Sequence, residues 1–467
     1  MHKRMRNVAL CWGAFFVVVL SQSACSPRAR AFDVGIGTHF GQGKTSENEF
    51  VSWASATKVG SMRDEIYWDH VERTRGVYKL EGDALRTANV VRAAKTRGIK
   101  PLLVLDYGNP VYGDGFPNSP AARAAFASYA AFIATTLADS VEDFEVWNEW
   151  NLGAGSSPAV KEGSASDYVT LLSATSAALK KANPRARVIG GSVGDDLDDW
   201  SWMRKAIAAG MLQHVAAVSI HLYDFMQSKT VRGTSEFLRR IESLHRILQA
   251  ASPQREIPIL ITEVGWPNHL GQGRVELLEA CGELLNLLFA LQSMPYVQGV
   301  WFYEFRDGGT DTAEVQHNFG FVTNEYTQKP VTQALAYARG LLAGSRVVKH
   351  LQTEGFRASV LNFQDGRNLL AIWPSADNDC KQTPVFVGGL PQASQVVALS
   401  FTQRIAAPRY VPARKAWSVS GLSLPQLFWI PASVRVSDLQ LTRGCSTFGL
   451  DGRCTLNSVK CLLTAQP

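Results

Sequence analysis

The sequence has no run of 18 consecutive apolar residues, which excludes a multi-span membrane protein. It has no heptad seam and no short internal repeat, so coiled coils and solenoids are excluded as well. No Gly-rich phosphate loop follows the first predicted strand, which argues against a nucleotide-binding doubly wound sheet. There is no CxxC pair, and the nine histidines form no metal-ligand spacing, so neither a metal nor another cofactor is expected. A basic-aromatic stripe is also missing. The formal charge of +6 does not replace it, because Lys3, Arg4, Arg6, Arg28 and Arg30 supply five of those charges within the first 31 residues. No nucleic-acid partner is expected.

What remains is 467 residues, 46% hydrophobic and 19% charged, enough for one large domain and a smaller one. The first segment reads as a secretory signal over residues 1–31. MHKRMR is its basic part and Val8 to Leu20 its 13-residue apolar part. Two ends compete. Cleavage before Cys25, in SQSAC, would leave a lipidated cysteine and a membrane association, although Gln22 stands where a lipobox prefers an aliphatic residue. Cleavage after Ala31 would release a soluble protein. Either way the chain is expected to be exported, to the periplasm or beyond. Cysteine usage agrees: Cys380, Cys445, Cys454 and Cys461 cluster near the end, where two disulfides are expected with three pairings open. Cys281 stands alone in a helical pattern and reads as a buried thiol.

From 32 to 342, eight apolar runs alternate with longer amphipathic stretches. The runs are FDVGIGTHF (32–40), GSMRDEIYW (60–68), KPLLVLDYG (100–108), FEVWNEWN (144–151), RVIGGSV (187–193), VAAVSIHLY (215–223), PILITEVGW (258–266) and VQGVWFYEF (297–305). Eight strand–helix units over about 310 residues predict a (β/α)₈ barrel. Polar residues gather at the C-terminal ends of these runs: His39, Arg63, Asp64, Glu65, Asp106, Asn148, Glu149, His221, Tyr223, Glu263 and Glu304. In a barrel those ends share one face, where active sites form. From 343 to 467, short strand-like segments between Gly, Pro and Asp turns predict a small all-β, sandwich-like domain.

Glu149, in VWNEWN, and Glu263, in LLITEVGWP, end the fourth and seventh runs and should face each other across the barrel mouth. Two carboxylates about 5 Å apart are what a retaining glycosidase needs. With these residues in register, the chain resembles the clan A glycoside hydrolases. Within them it is most similar to glycoside hydrolase family 39 and its bacterial relatives that cut exopolysaccharides. The resemblance covers roughly residues 32 to 342. It implies Glu149 as acid/base, Glu263 as nucleophile, Asn148 on the sugar 2-hydroxyl and Arg63 paired with the nucleophile. It also implies His221 and Tyr223 after strand 6 and Trp301 on strand 8. Many relatives carry Pro after Asn-Glu. Trp150 stands there in this chain, beside the acid/base, as an expected sugar platform.

Trp68, Trp266 and His39 are further expected sugar contacts, since apolar sugar faces stack on aromatic rings and polar groups take the hydroxyls. Packing between barrel and helices is the competing expectation for each aromatic, and a satisfied core position for His39. The leading expectation is an exported retaining hydrolase acting inside a bacterial exopolysaccharide. An exo-acting, β-xylosidase-like enzyme is the second. A non-catalytic glycan-binding protein of polysaccharide secretion is the third.

Overall fold

The structure is a computed structural model. It describes residues 32–113, 115–156, 162–194, 199–228, 232–353, 356–374, 385–392, 395–397, 408–419 and 425–443. The expected leader, Cys25 and the four clustered cysteines lie outside the described residues.

Eight parallel strands close into a barrel in chain order: β1 (Asp33–Gly37), β2 (Ser61–Tyr67), β3 (Lys100–Asp106), β4 (Asp143–Val146), β5 (Arg187–Val193), β6 (Ala217–Leu222), β7 (Ile259–Val264) and β8 (Val297–Phe302). Seven lie within the apolar runs, and β4 starts one residue before its run, at Asp143. Two of the helices between the strands start on a serine cap. Ser119 accepts a hydrogen bond from the Ala122 amide ahead of helix Pro120–Thr136, with Pro120 in its first turn. Ser164 does the same for Asp167 ahead of helix Ala165–Ala182.

Strand alternation sends one set of side chains into the barrel and the other towards the helices. The inner set includes Leu102, Val104, Ile189, Ala217, Leu260 and Trp301. Trp301 occupies this interior, and its Nε1 donates to Ser61 Oγ at 2.9 Å. The indole fits because its neighbours are glycines. A Cβ on Gly35 would lie 2.2 Å from the ring, and one on Gly299 would lie 2.7 Å from it. Trp301 therefore closes the inside of the barrel and does not face a ligand. Cys281 is a buried free thiol in helix Leu277–Leu291.

Small antiparallel sheets follow the barrel. One runs in the order β13-β16-β11-β10-β9, from β9 (Ser345–Thr353), β10 (Phe356–Phe363), β11 (Asn368–Pro374), β13 (Gln395–Val397) and β16 (Gln426–Ile430). The other runs β14-β15-β12-β17, from β12 (Val385–Gly388), β14 (Arg409–Val411), β15 (Ala416–Val419) and β17 (Gln440–Arg443). β11 is buried on both faces. Leu370 and Ile372 join Val385, Val387 and Phe428 between the sheets, while Leu369, Ala371 and Trp373 join the core of the barrel. An ion pair from Arg357 to Glu242 (2.6 Å) adds a polar tie between β10 and helix Thr234–Ala251.

Candidate active site

The chain leaves β4 through two residues in the left-handed region, Trp147 (φ 67°) and Glu149 (φ 49°). Non-glycine residues seldom adopt it. Backbone bonds hold them there: Trp147 N to Leu105 O at 2.9 Å and Glu149 N to Ser192 O at 3.0 Å. This turn swings Glu149 over the barrel mouth. At β7 the pairing with β6 shifts register by one residue, so that Ile220 faces Ile261 and His221 faces Glu263. Such a shift re-aims side chains. Thr262 points inward to Glu145, and Glu263 points into the cleft.

The cleft, about 880 Å³, is lined by His39, Arg63, Asn148, Glu149, Tyr223 and Glu263, together with Gln42, Glu65, Asp106, Tyr107, Tyr303 and Phe319 among others. One carboxylate oxygen of Glu149, one of Glu263 and a ring nitrogen of His221 all lie within 4.8 Å of one another. The side chains of Glu149 and Glu263 remain 23% and 11% exposed, so both can meet a ligand.

Arg63 organises the floor. Its Nη1 donates to Glu263 Oε1 at 2.6 Å, its Nε to Glu145 Oε2 at 2.7 Å, and its Nη2 to Asn148 Oδ1 at 2.9 Å. Glu145 is fully buried and also accepts from Thr262 Oγ1 at 2.8 Å, so the guanidinium is anchored from behind. Because Arg63 can only donate, Asn148 must turn its oxygen towards it. Its Nδ2 then faces Tyr107 Oη at 2.8 Å. The other Glu263 oxygen accepts from Tyr223 Oη at 2.7 Å. Burial alone would raise the Glu263 carboxyl. The charges of His221 and Arg63 and the Tyr223 hydroxyl outweigh it and hold Glu263 below the ordinary glutamate range. It is an ionised carboxylate fixed at both oxygens.

Glu149 sits in a different setting. His221 Nδ1 lies 2.7 Å from its Oε1, and His221 Nε2 lies 3.0 Å from Ser192 Oγ. Burial disfavours a charge on His221, yet Glu263 and Glu149 raise it above the usual histidine value. A hydrogen therefore lies between imidazole and carboxyl, within reach of anything bound at Glu149. The Glu149–His221–Glu263 trio, drawn from strands 4, 6 and 7, also has a spacing that a metal could use. Arg63 and His221 already neutralise these carboxylates, and a cation would have to displace both pairings.

His39 belongs to a second charged group at the rim. Its Nδ1 lies 3.0 Å from Glu65 Oε1 and its Nε2 lies 3.3 Å from Glu304 Oε2. Burial opposes its protonation, but Glu65, Glu304 and Asp64 push it up to about 9. Glu65, which also accepts from Gln42 and Tyr67, falls to about 2 despite burial, chiefly through His39. Burial raises Glu304 to about 7.

Seven sequence-predicted residues thus converge: Glu149, Glu263, Asn148, Arg63, His221, Tyr223 and His39. Four tryptophans do not. Trp150 is 1% exposed, stacks on Phe116 at 3.8 Å and donates to Ser164 O; it supports the loop and offers no face to a ligand. Trp68 is buried against Tyr112, and its Nε1 donates to Glu72 at 2.7 Å. Trp266 packs between Phe237 and Phe302. Trp301 lies inside the barrel, and the aromatic at the mouth is Tyr303, two residues on along the same inward face. Gln316 and Phe319, from the loop after β8, also line the cleft and carried no periodic signal.

Comparison with known proteins agrees with this geometry. The family model described as Cellulase (glycosyl hydrolase family 5) matches residues 29–288. No curated protein matches the chain significantly. Among solved structures, a family 39 glycoside hydrolase from Bacteroides cellulosilyticus WH2 is similar with a TM-score of 0.68 and 21% identity, over 86% of this chain and 81% of that one. A monomeric beta-xylosidase from Caulobacter crescentus CB15 has a TM-score of 0.54 and 15% identity, over 89% and 96%. GH5_18 from Streptomyces cattleya, solved with GlcNAc, has a TM-score of 0.54 and 18% identity, over 67% and 80%. At these identities the likeness is one of fold. The chain belongs to the cellulase family, glycosyl hydrolase family 5, and is a retaining glycoside hydrolase of clan A whose fold is also similar to that of a family 39 enzyme.

Proposed function

We propose that the protein is exported and cleaves β-glycosidic bonds within a bacterial exopolysaccharide, with Glu263 as nucleophile and Glu149 as acid/base. The supporting observation is a pair of carboxylates with oxygens within 4.8 Å of each other, Glu263 held at one oxygen by Arg63 and at the other by Tyr223, and Glu149 facing His221. That spacing suits direct attack on the sugar; an inverting pair stands roughly 6.5–9.5 Å apart to admit a water.

In the first step a Glu263 oxygen bonds to the anomeric carbon as the glycosidic C–O bond breaks, and the leaving oxygen takes the proton of Glu149. In the second, Glu149, now a carboxylate, accepts a proton from water as the water oxygen bonds to the same carbon and Glu263 leaves. Two inversions restore the β configuration. Asn148, fixed by Arg63, presents its amide beside Glu263, where a sugar 2-hydroxyl would lie. Export is read from residues 1–31, and the polymer substrate from the resemblance to exopolysaccharide hydrolases.

Digestion of the producer's own exopolysaccharide tests this reading. Polymer length should fall early, and Glu149→Gln and Glu263→Gln should each lose turnover while keeping the fold. Early release of monosaccharide would favour the second reading, exo-cleavage, to which the fold likeness to a beta-xylosidase lends support. Wild type and variants behaving alike would remove the catalytic assignment.

A further inference from the structure

Charge is divided unevenly along the chain. Residues 32–342 hold 29 Lys and Arg against 35 Asp and Glu, whereas residues 343–467 hold 13 against 6. The barrel part is acidic and the β part basic. The imbalance is sharpest from 380 to 437, where Lys381, Arg404, Arg409, Arg414, Lys415 and Arg435 are joined by no acid at all. A one-signed segment of that length sets up a field that draws an anionic partner.

Three of these cations share one surface. The sheet β14-β15-β12-β17 turns Val385, Val387, Trp417 and Val419 inward, against the sheet that contains β11. The alternate residues therefore face away from the rest of the molecule. Arg409, Ser418 and Phe386 lie side by side across β14, β15 and β12 on that outward face, and Arg409 is exposed. Arg414, from the turn joining β14 to β15, holds its guanidinium 4.2 Å from the centre of the Phe386 ring. Lys415 follows it, and both are exposed. Gly388 and Ala416, paired in the next row, leave the face low between the cations. No carboxylate among the described residues pairs with Arg409 or Lys415. The one acid between 380 and 443, Asp438, is engaged by Arg435 at 3.3 Å.

We infer that this outward face docks on an anionic phospholipid surface, with Arg409, Arg414 and Lys415 meeting the lipid phosphates. The sheet containing β11 lies between this face and the barrel, so the acidic barrel is kept on the side away from the lipid. Each Lys or Arg near such a surface tightens binding roughly fivefold. An anionic glycan fits the face less well. Sugars need an open ring to stack on, and Phe386 is 8% exposed beneath Arg414. The barrel that would cut the same polymer is itself acidic. The inference goes beyond the proposed cleavage chemistry and stands apart from it.

The test sediments the full chain with vesicles of neutral phosphatidylcholine and with vesicles containing about one-third phosphatidylglycerol. The readout is the ratio of the two affinities, compared between the native chain and the pair Arg409→Gln and Lys415→Gln. Both chains carry the same first 31 residues, whose contribution cancels in that comparison. The native ratio should be at least about tenfold and should collapse as salt approaches roughly 1 M. The double substitution should lower it about tenfold with the melting temperature and glycan turnover unchanged, and Arg409→Lys should keep it. A native ratio near one, or a ratio untouched by the double substitution, overturns the inference. Binding of polygalacturonate that the double substitution abolishes, alongside a vesicle ratio near one, would assign the face to an anionic glycan and overturn the lipid assignment.

Discussion

Gly194 stands where any side chain would strike the acid/base candidate: a Cβ there would lie 2.4 Å from Glu149 Oε1. The end of a flexible side chain can move aside at little cost in stability. Gly194→Ala should therefore leave the melting temperature near the wild-type value and lower kcat roughly 100-fold, the penalty typical of a displacement of about 1 Å at a reacting group. Parallel melting curves and steady-state kinetics check this.

Trp150 makes the opposite case. Its ring is buried and stacked on Phe116. Trp150→Ala should cost about 3–5 kcal/mol of stability, read by denaturant unfolding. Below its melting range the surviving folded enzyme should keep a KM near that of wild type, since no ring face is withdrawn from the substrate.

The Arg63 charge has a kinetic signature. Glu263 must be ionised to attack, and its pKa is lowered in part by Arg63. The acidic limb of the kcat/KM profile should lie below pH 4.5. In Arg63→Met, burial is no longer offset by that cation, and the limb should move upward by about one pH unit or more. A pH–rate profile of the residual activity measures it.

His39 links pH to stability. Its folded pKa, about 9, exceeds the free value of 6.5. The stabilisation is complete below pH 6.5 and is lost as pH rises towards 9, on the order of 3 kcal/mol. Glu304, raised to about 7, gives a loss in the same direction between pH 4.5 and 7. Melting temperature should fall from mildly acidic pH to pH 9, and His39→Gln should flatten the part above pH 6.5.

These sites differ in how far the sequence announced them. The eight strands were legible because each is a short apolar run, and their polar ends, Arg63, Asn148, Glu149, His221 and Glu263, were legible because a barrel gathers such ends on one face. The tryptophans were not, because nearness to a strand end does not fix where a ring points. After β4 the left-handed turns at Trp147 and Glu149 break alternation, and Trp150 is carried back against Phe116 and Tyr168. On β8 the inward face was readable but not the depth, so Trp301 fills the interior and Tyr303 takes the mouth. In the sheets after the barrel, β14, β15 and β17 are three or four residues long, too short for a periodic signal. Glu145 and Thr262 emerge as the anchor of Arg63 only once strands 2, 4 and 7 are brought together.

The most direct test of the central claim is to trap the covalent intermediate. A 2-deoxy-2-fluoroglycoside with a good leaving group, in the sugar series the enzyme turns over, should label the protein once, and peptide mass spectrometry should place the sugar on Glu263. Labelling on another residue, or turnover with inversion and no adduct, would contradict the account.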